Sequence, residues 1–122
     1  MSKYGNIKTV TSDGITHDSR KEANRWCELK LLERSGRIQD LQRQVKYVLI
    51  PAQYEHEFNE RKKKWLKTKC IERECSYVAD FVYTDTETNT VIVEDTKGKK
   101  TKDYIIKRKL MLKEHGIRIK EL

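Results

Sequence analysis

The chain has 122 residues, of which 38% are charged and 36% apolar, and its formal net charge is +8. This length suits one domain rather than two, and the apolar positions recur too regularly for a fully disordered chain. No apolar run approaches the roughly 18 residues that a membrane span needs, and we expect no signal peptide. The three cysteines lack CxxC spacing, which favours free thiols in a cytoplasmic protein over a disulfide framework or a zinc site.

The positive charge is concentrated in two segments. Residues 61–73 and residues 97–109 each contain seven lysines or arginines and one acidic residue, so each has a net charge of +6. The rest of the chain therefore has a net charge of −4. Clustered basic residues are typical of proteins that bind a polyanion, nucleic acid above all, although two solubilising surface stretches would have the same composition.

The N-terminal part predicts one helix. Residues 1–17 are polar and predict an extended arm or a short hairpin. Ser19 is a candidate N-cap, with Glu22 at the spacing of a capping box, and strong helix formers follow as far as Arg34. Gly36 suits the C-terminal cap.

The middle of the chain predicts a strand and an insertion. Alternating apolar residues indicate a strand over 43–50, which Pro51 ends. Residues 52–70 are charged, with few apolar anchors, and predict either a helix around 54–66 or a long hairpin. We expect Trp65, in this insertion, to anchor it to the core, although an exposed tryptophan there would stack on a base.

The last third predicts a hairpin, a helix and a final strand. Alternation places Tyr77, Ala79, Phe81 and Tyr83 on one face of a strand. After a turn, the sequence VIVEDTKG predicts a second strand, and a helix follows from Thr101 or Asp103 to Glu114, capped by Gly116. The sequence IRIKEL predicts the last strand. The order helix, strand, strand, strand, helix, strand indicates a single small α/β domain with a mixed sheet and flanking helices.

Four residues are candidates for chemistry. Asp80 lies between Val78 and Val82 on a strand, where burying an unpaired carboxylate is costly. Asp95 and Lys97 are two residues apart, so on a strand both would point to one face while Glu94 points to the other. Glu22 shares a helix face with Trp26 and Leu29, which places it inward.

Carboxylates beside a lysine suit metal-dependent hydrolysis of phosphodiesters. Mg²⁺ or Mn²⁺ is held by carboxylates, water and phosphate oxygens, and it neutralises the charge that develops on the phosphate. A nearby lysine orients the water or stabilises the transition state.

Asp80 in YVADFVY, the triplet Asp95-Thr96-Lys97 in VIVEDTKG and Glu22 on the preceding helix resemble the PD-(D/E)XK nuclease superfamily. The predicted element order agrees with the core of that superfamily. The segments DSRKEANRW, ADFVY, VEDTKG and GIRIKEL are similar to a family of small phage-encoded proteins that includes Holliday-junction-resolvase-like members. Gln44 is a candidate for the polar residue that the superfamily often carries on its first strand.

This resemblance implies a role for each matching residue. Asp80, Asp95, Glu22 and the Thr96 carbonyl would bind the metal, and Lys97 would position or activate the water. It implies a Mg²⁺- or Mn²⁺-dependent DNA endonuclease that acts on branched DNA in phage recombination, with a homodimer as a plausible form because a resolvase cuts two strands. We expect basic side chains from both segments to bind DNA phosphates, namely Lys99, Lys100, Lys102, Lys107, Lys63 and Lys64.

Ordinary structural roles are also open for these residues. Glu22 is well placed as a helix cap, Asp95 and Lys97 would form a weak surface ion pair, and Asp80 would pair with a lysine or cap a bulge. The alternative functions are a nucleic-acid-binding module without catalysis and a protein-interaction partner within a phage replication complex.

Overall fold

The structure is a computed structural model and describes residues 7–97 and 100–122. Two helices and eight strands were assigned in the described residues. They are β1 (Thr9–Val10), β2 (Thr16–His17), α1 (Arg20–Arg34), β3 (Ile38–Ile50), β4 (Gln53–Asn59), β5 (Lys64–Glu72), β6 (Cys75–Asp85), β7 (Thr90–Asp95), α2 (Lys102–His115) and β8 (Lys120–Glu121).

The central sheet contains four strands in the order β3-β6-β7-β8. The β3–β6 and β6–β7 pairs are antiparallel, whereas β8 returns parallel to β7 after the crossover through α2. Apart from the hairpins β1–β2 and β4–β5, the order is α1, β3, β6, β7, α2, β8. The predicted α/β class with a mixed sheet is therefore confirmed.

Both helices begin and end at the caps that the sequence indicates. The Ser19 hydroxyl accepts a hydrogen bond from the Glu22 backbone N–H, and the Thr101 hydroxyl accepts one from that of Tyr104. Gly36 and Gly116 have φ angles of 81° and 66°, a left-handed conformation in which glycine avoids the strain of a Cβ. These caps fix the ends of the helices that cover the sheet.

Three strand boundaries differ from prediction. β3 begins at Ile38 rather than residue 43, because a bulge between Gln39 and Gln42 lets the strand continue through polar residues. β7 ends at Asp95, so Lys97 lies beyond the strand and the alternation argument does not place it. β8 is limited to Lys120–Glu121.

The predicted single apolar face of β6 is divided between two clusters. Tyr77 and Ala79 pack with Tyr104 and Met111 from α2, whereas the next inward residues of β6 pack with α1. This second cluster contains Trp26, Leu29, Ile38, Phe81 and Tyr83. All four predicted β6 residues are buried, as expected, but the strand changes which helix it contacts at Asp80.

A residue with unusual backbone conformation lies on β3 next to Asp80. Gln44 falls opposite Asp80 in a register where Arg43 pairs with Phe81 and Val45 pairs with Ala79. Gln44 has a φ of 54°, which is uncommon for a residue with a side chain and is costly within a strand. Asp80 and Gln44 therefore mark the junction between the two clusters.

The insertion forms a long hairpin, the second of the two predicted alternatives. β4 and β5 pair with each other in a two-stranded sheet separate from the central one. The predicted core role of Trp65 is wrong, because 67% of its surface is exposed. Near the N-terminus, β1 and β2 form the short hairpin that was one expectation for residues 1–17, of which residues 1–6 lie outside the described part.

Candidate active site

Asp80 is linked directly to the segment that follows β7. One carboxylate oxygen, Oδ2, accepts hydrogen bonds from the backbone N–H and the hydroxyl of Thr96, each at 2.8 Å. Thr96 is 5% exposed, so this contact holds the end of β7 against the middle of β6. The predicted proximity of Asp80 to the Asp95-Thr96-Lys97 triplet is thus present.

Asp95 is buried beside Asp80. Its Oδ2 accepts a hydrogen bond of 2.5 Å from the Tyr77 hydroxyl, and its Oδ1 accepts one of 2.8 Å from the Lys97 backbone N–H. Burial and the Asp95 carboxylate raise the pKa of Tyr77 far above its ordinary value, so this hydroxyl remains a donor. These contacts fix the rotamer of Asp95 and leave each oxygen with further acceptor capacity.

Lys97 is exposed and lies outside the strand. Its ammonium is 5.3 Å from the centroid of the Tyr104 ring, and its charge partly opposes the rise that burial causes in the pKa of Asp80. The cation is therefore close to the carboxylates and partly held by the ring.

Glu22 enters the site from the first turn of α1, with only 3% of its surface exposed. Its Oε1 accepts a hydrogen bond of 3.0 Å from the Gln44 side-chain amide, and its Oε2 accepts one of 3.2 Å from the Asp18 backbone N–H. The side chain thus reaches back past Ser19, as in a capping box displaced by one residue. One carboxylate oxygen serves the cap while the other faces Gln44.

Two of the carboxylates, Glu22 and Asp80, have raised pKa values. Burial is the main cause of the raised pKa of Glu22, and the nearby Asp80 charge adds to it. Burial also raises the pKa of Asp80, opposed by the two Thr96 hydrogen bonds and reinforced by Asp95. Such mutual repulsion is relieved by a proton or by a cation.

These carboxylates are not neutralised by direct ion pairs. In the part of the chain that the structure describes, no lysine or arginine lies within ion-pair distance of Glu22, Asp80 or Asp95. Arg43 and Lys97 act on them only through longer-range attraction. The site therefore retains negative charge that no described lysine or arginine pairs directly.

The donor set suits a hard divalent cation, although the ligands are not preassembled. Among residues 7–97 and 100–122, no group of three or more His, Cys, Asp or Glu side chains is arranged to hold a metal ion. Asp80 and Asp95 nevertheless supply oxygens with remaining lone pairs next to uncompensated charge, which is the chemistry that Mg²⁺ or Mn²⁺ prefers.

The sequence did not indicate His17 as part of this site, and it identified Gln44 only as a candidate. His17 is 1% exposed; its Nδ1 lies 3.8 Å from Glu22 Oε1 and makes no hydrogen bond to the described residues. Burial and Arg43 lower the pKa of His17, which favours the neutral ring. Gln44, the candidate polar residue of the first strand, contacts Glu22 directly. The early position of His17, before the first helix, gave no signal for this contact.

The predicted DNA-binding lysines occupy several elements. Lys100 is exposed with its ammonium 3.4 Å from Glu121, Lys102 begins α2 and is exposed, and Lys107 is half-buried on α2. Lys63 and Lys64 are exposed at the tip of the β4–β5 hairpin, away from this group in sequence and in sheet. Lys99 lies outside the described residues.

Glu94, adjacent to Asp95, points to the opposite face as predicted. It is fully buried and accepts two hydrogen bonds from Arg25, 2.8 Å from Nε and 2.6 Å from Nη2. The Tyr83 hydroxyl donates a third. This bidentate pair joins α1 to β7 and is a structural contact rather than part of the carboxylate group.

A shallow cavity lies elsewhere on the molecule. Its volume is about 330 Å³, and its lining includes Asp13, Trp26, Lys30 and Arg34, between the β1–β2 turn and α1. None of the predicted site residues lines it. The Trp26 indole donates a 2.6 Å hydrogen bond to Asp13 there, which fixes the turn to the helix.

No helix in the described ranges is long and apolar enough to cross a membrane. No curated protein and no solved structure matches the chain. The family model described as "Protein of unknown function (DUF1064)" matches residues 1–120, and the chain therefore belongs to this family.

Proposed function

We propose that this protein is a metal-dependent DNA endonuclease that hydrolyses phosphodiester bonds. The observation that carries the proposal is that Asp80 and Asp95 meet at the segment containing Thr96 and Lys97, with the Glu22 carboxylate near enough to Asp80 for their charges to interact. Separate elements bring these groups together at a cost in desolvation and repulsion. A purely structural role would have been filled more cheaply by neutral side chains.

Each residue has a role in the proposed reaction. Asp80 and Asp95, with the Thr96 carbonyl and Glu22, would hold Mg²⁺ or Mn²⁺. When bound, the metal lowers the pKa of water and neutralises charge on the phosphate. Tyr77 and the backbone of Thr96 orient the two aspartates, and Gln44 orients Glu22.

Lys97 supplies the mobile cation of the site. Its ammonium rests over Tyr104 rather than in an ion pair, so it can move to the attacking water or to a phosphate oxygen. Lys100, Lys102 and Lys107 follow it and offer positive charge along the path of the DNA backbone. Lys99 would belong to the same group.

The biological setting rests on the sequence resemblance. It favours branched DNA in phage recombination or DNA processing as the substrate, and a homodimer that cuts two strands. The exposed free thiols of Cys27 and Cys70 agree with the reducing cytoplasm of a host cell.

The direct test is cleavage of four-way junction, flap and linear DNA in Mg²⁺, Mn²⁺ or EDTA. We expect metal-dependent cutting that Asp80→Asn abolishes and that Lys97→Ala slows by about 10²–10³-fold. Both variants should still bind DNA. Glu87→Gln is the matched control, because it removes one exposed negative charge from the turn between β6 and β7, outside the site. Wild-type protein that binds every substrate and cuts none contradicts the proposal.

A nucleic-acid-binding module without catalysis is the second candidate. The observation that favours it is the lack of a preassembled group of three or more metal-ligating side chains among the described residues. This candidate predicts DNA binding that weakens steeply with salt, since phosphate contacts release counterions, without cleavage in any metal. A nearly flat salt dependence would contradict both candidates.

A further inference from the structure

The β4–β5 hairpin has two chemically different faces. Directly paired residues of antiparallel strands share a face, and here Phe58 pairs with Trp65 and His56 with Lys67. A register shift separates Tyr54 from these pairs, but the Lys67 ammonium lies 4.8 Å from the Tyr54 ring centroid, which places Tyr54 on the same side. We name the set Tyr54, His56, Phe58, Trp65 and Lys67 the aromatic face.

The aromatic face contains no carboxylate. Glu55 and Glu57 alternate with its residues along β4 and therefore point to the other side, where Glu57 pairs with Leu66. Next to the Phe58–Trp65 pair, the turn between the strands contains Glu60 followed by Arg61, Lys62 and Lys63, all exposed. The turn beside the rings thus has a net charge of +2, whereas Glu55 and Glu57 lie on the opposite face of the hairpin.

The rings are more exposed than hairpin stability requires. Phe58 and Trp65 meet edge to face with centroids 5.6 Å apart, a cross-strand pair that supports the hairpin. Trp65 is nevertheless 67% exposed and Phe58 44% exposed, so most of the indole surface has no contact within the described residues. Among the described elements, β4 and β5 belong to no larger sheet that would cover them.

We propose that the aromatic face binds single-stranded nucleic acid by stacking unpaired bases on Trp65 and Phe58 while Lys67 and the turn cations contact the backbone. Aromatic rings interleaved with cations bind single strands because every base has a stacking surface. Bases already stacked within a duplex do not offer that surface. This inference rests on the proposed function only in taking the bound polymer to be DNA. It narrows the substrate to DNA that contains an unpaired stretch.

The test is binding of the full-length protein in EDTA, so that cleavage has no part in it. The probe is an oligodeoxythymidine of about 12 nucleotides, compared with a duplex of the same length. Binding is measured by fluorescence anisotropy of the labelled DNA and by quenching of Trp65, whose exposure contrasts with that of Trp26, which is only 6% exposed.

We expect Trp65→Ala to weaken single-strand binding by about tenfold or more while duplex binding changes by less than about twofold. Trp65→Phe should retain most of the affinity, because it keeps a stacking ring. Val91→Ala is the control for an exposed apolar residue, since Val91 is 64% exposed and lies on β7. Lys67→Gln should weaken single-strand binding more than Lys113→Gln, which removes the same charge from the end of α2.

Three results would overturn the inference. They are unchanged single-strand affinity in Trp65→Ala, equal losses for single strand and duplex, and a change of oligomeric state in size-exclusion chromatography without a change in DNA binding. The last result would show that the aromatic face packs against a second copy of the chain. Wild-type protein that binds single strands with Trp65 quenching but cuts no DNA would refute the nuclease while leaving this inference intact.

Discussion

Glu94 and Asp95 are adjacent in β7 and both buried, yet they have opposite surroundings. Glu94 is matched by the Arg25 guanidinium and the Tyr83 hydroxyl, and this pairing also raises the pKa of Arg25. Asp95 accepts a hydrogen bond from Tyr77 and lies near Asp80, whose charge in turn acts on Glu22. Glu94, on the face of β7 toward α1, is therefore neutralised by Arg25. Asp95, on the other face of β7, lies near a carboxylate of another element, and no described lysine or arginine pairs with it.

The difference shows which charges serve the fold. A buried ion pair with good geometry is satisfied by the chain itself, and breaking it leaves an unpaired charge. Carboxylates that repel one another reduce stability and persist where function needs them. Mutation of the Glu94 ion pair should therefore reduce stability. Mutation of the carboxylates that repel one another should reduce activity and increase stability.

The largest expected effect is at Arg25. Arg25→Ala leaves Glu94 buried without its guanidinium, so we expect a loss of about 3–5 kcal/mol in the free energy of unfolding. Chemical denaturation followed by circular dichroism measures it. Glu28→Gln is the matched control, since Glu28 is an exposed partner of the same arginine. Equal losses in the two variants would show that the Glu94 pair is not a main structural contact.

Asp80→Asn should stabilise the protein, in contrast to Arg25→Ala. The asparagine oxygen can still accept the Thr96 hydrogen bonds, whereas the desolvated charge and its repulsion of Glu22 and Asp95 are removed. We expect the Tm of metal-free protein at pH 7 to rise by about 2–5 °C, as a gain near 1 kcal/mol gives in a domain of this size. Differential scanning calorimetry in EDTA measures the change. A lower Tm would mean that the carboxylate stabilises the fold.

The stability that Glu22 and Asp80 contribute should depend on pH. Because the pKa values of Glu22 and Asp80 are raised in the folded state, their favourable contribution exists at low pH. It is lost as the pH rises from the ordinary carboxyl pKa of about 4 through the folded-state values. The Tm of wild type relative to the Glu22→Gln/Asp80→Asn double variant should therefore fall as the pH rises above about 4. A constant difference in EDTA would argue against raised pKa values.

The smallest expected effect on stability is at Lys97. Its ammonium is exposed and forms no ion pair with the described carboxylates, so Lys97→Ala should change the Tm by less than about 2 °C. Activity in Mg²⁺ should fall far more than stability. Lys120→Ala is the comparison, because the Lys120 ammonium is 3.9 Å from Glu94 on the compensated side and should leave cleavage unchanged. A large fall in Tm for Lys97→Ala would assign it a structural role.

Much of the fold was predictable because its signals are local. Ser19, Gly36, Thr101 and Gly116 define the helix ends through contacts within a few residues, and alternation identified the strands around Tyr77 and Val93. The start of β3 was not predictable, since its polar residues join the strand through pairing with distant β6. The role of Trp65 was wrong because composition does not show whether a hairpin packs against the core.

The candidate site was predictable in its residue types and only partly in its contacts. The sequence by itself determined that Asp80 and Asp95 lie on two neighbouring strands, because side-chain alternation depends on the backbone alone, and that a lysine follows Asp95 closely. Only the tertiary structure decided that Asp80 bonds Thr96, that Gln44 and buried His17 adjoin Glu22, and that Glu94 is neutralised while Asp95 is not. These contacts join residues up to 69 positions apart in the chain, and packing of the two helices against the sheet creates them.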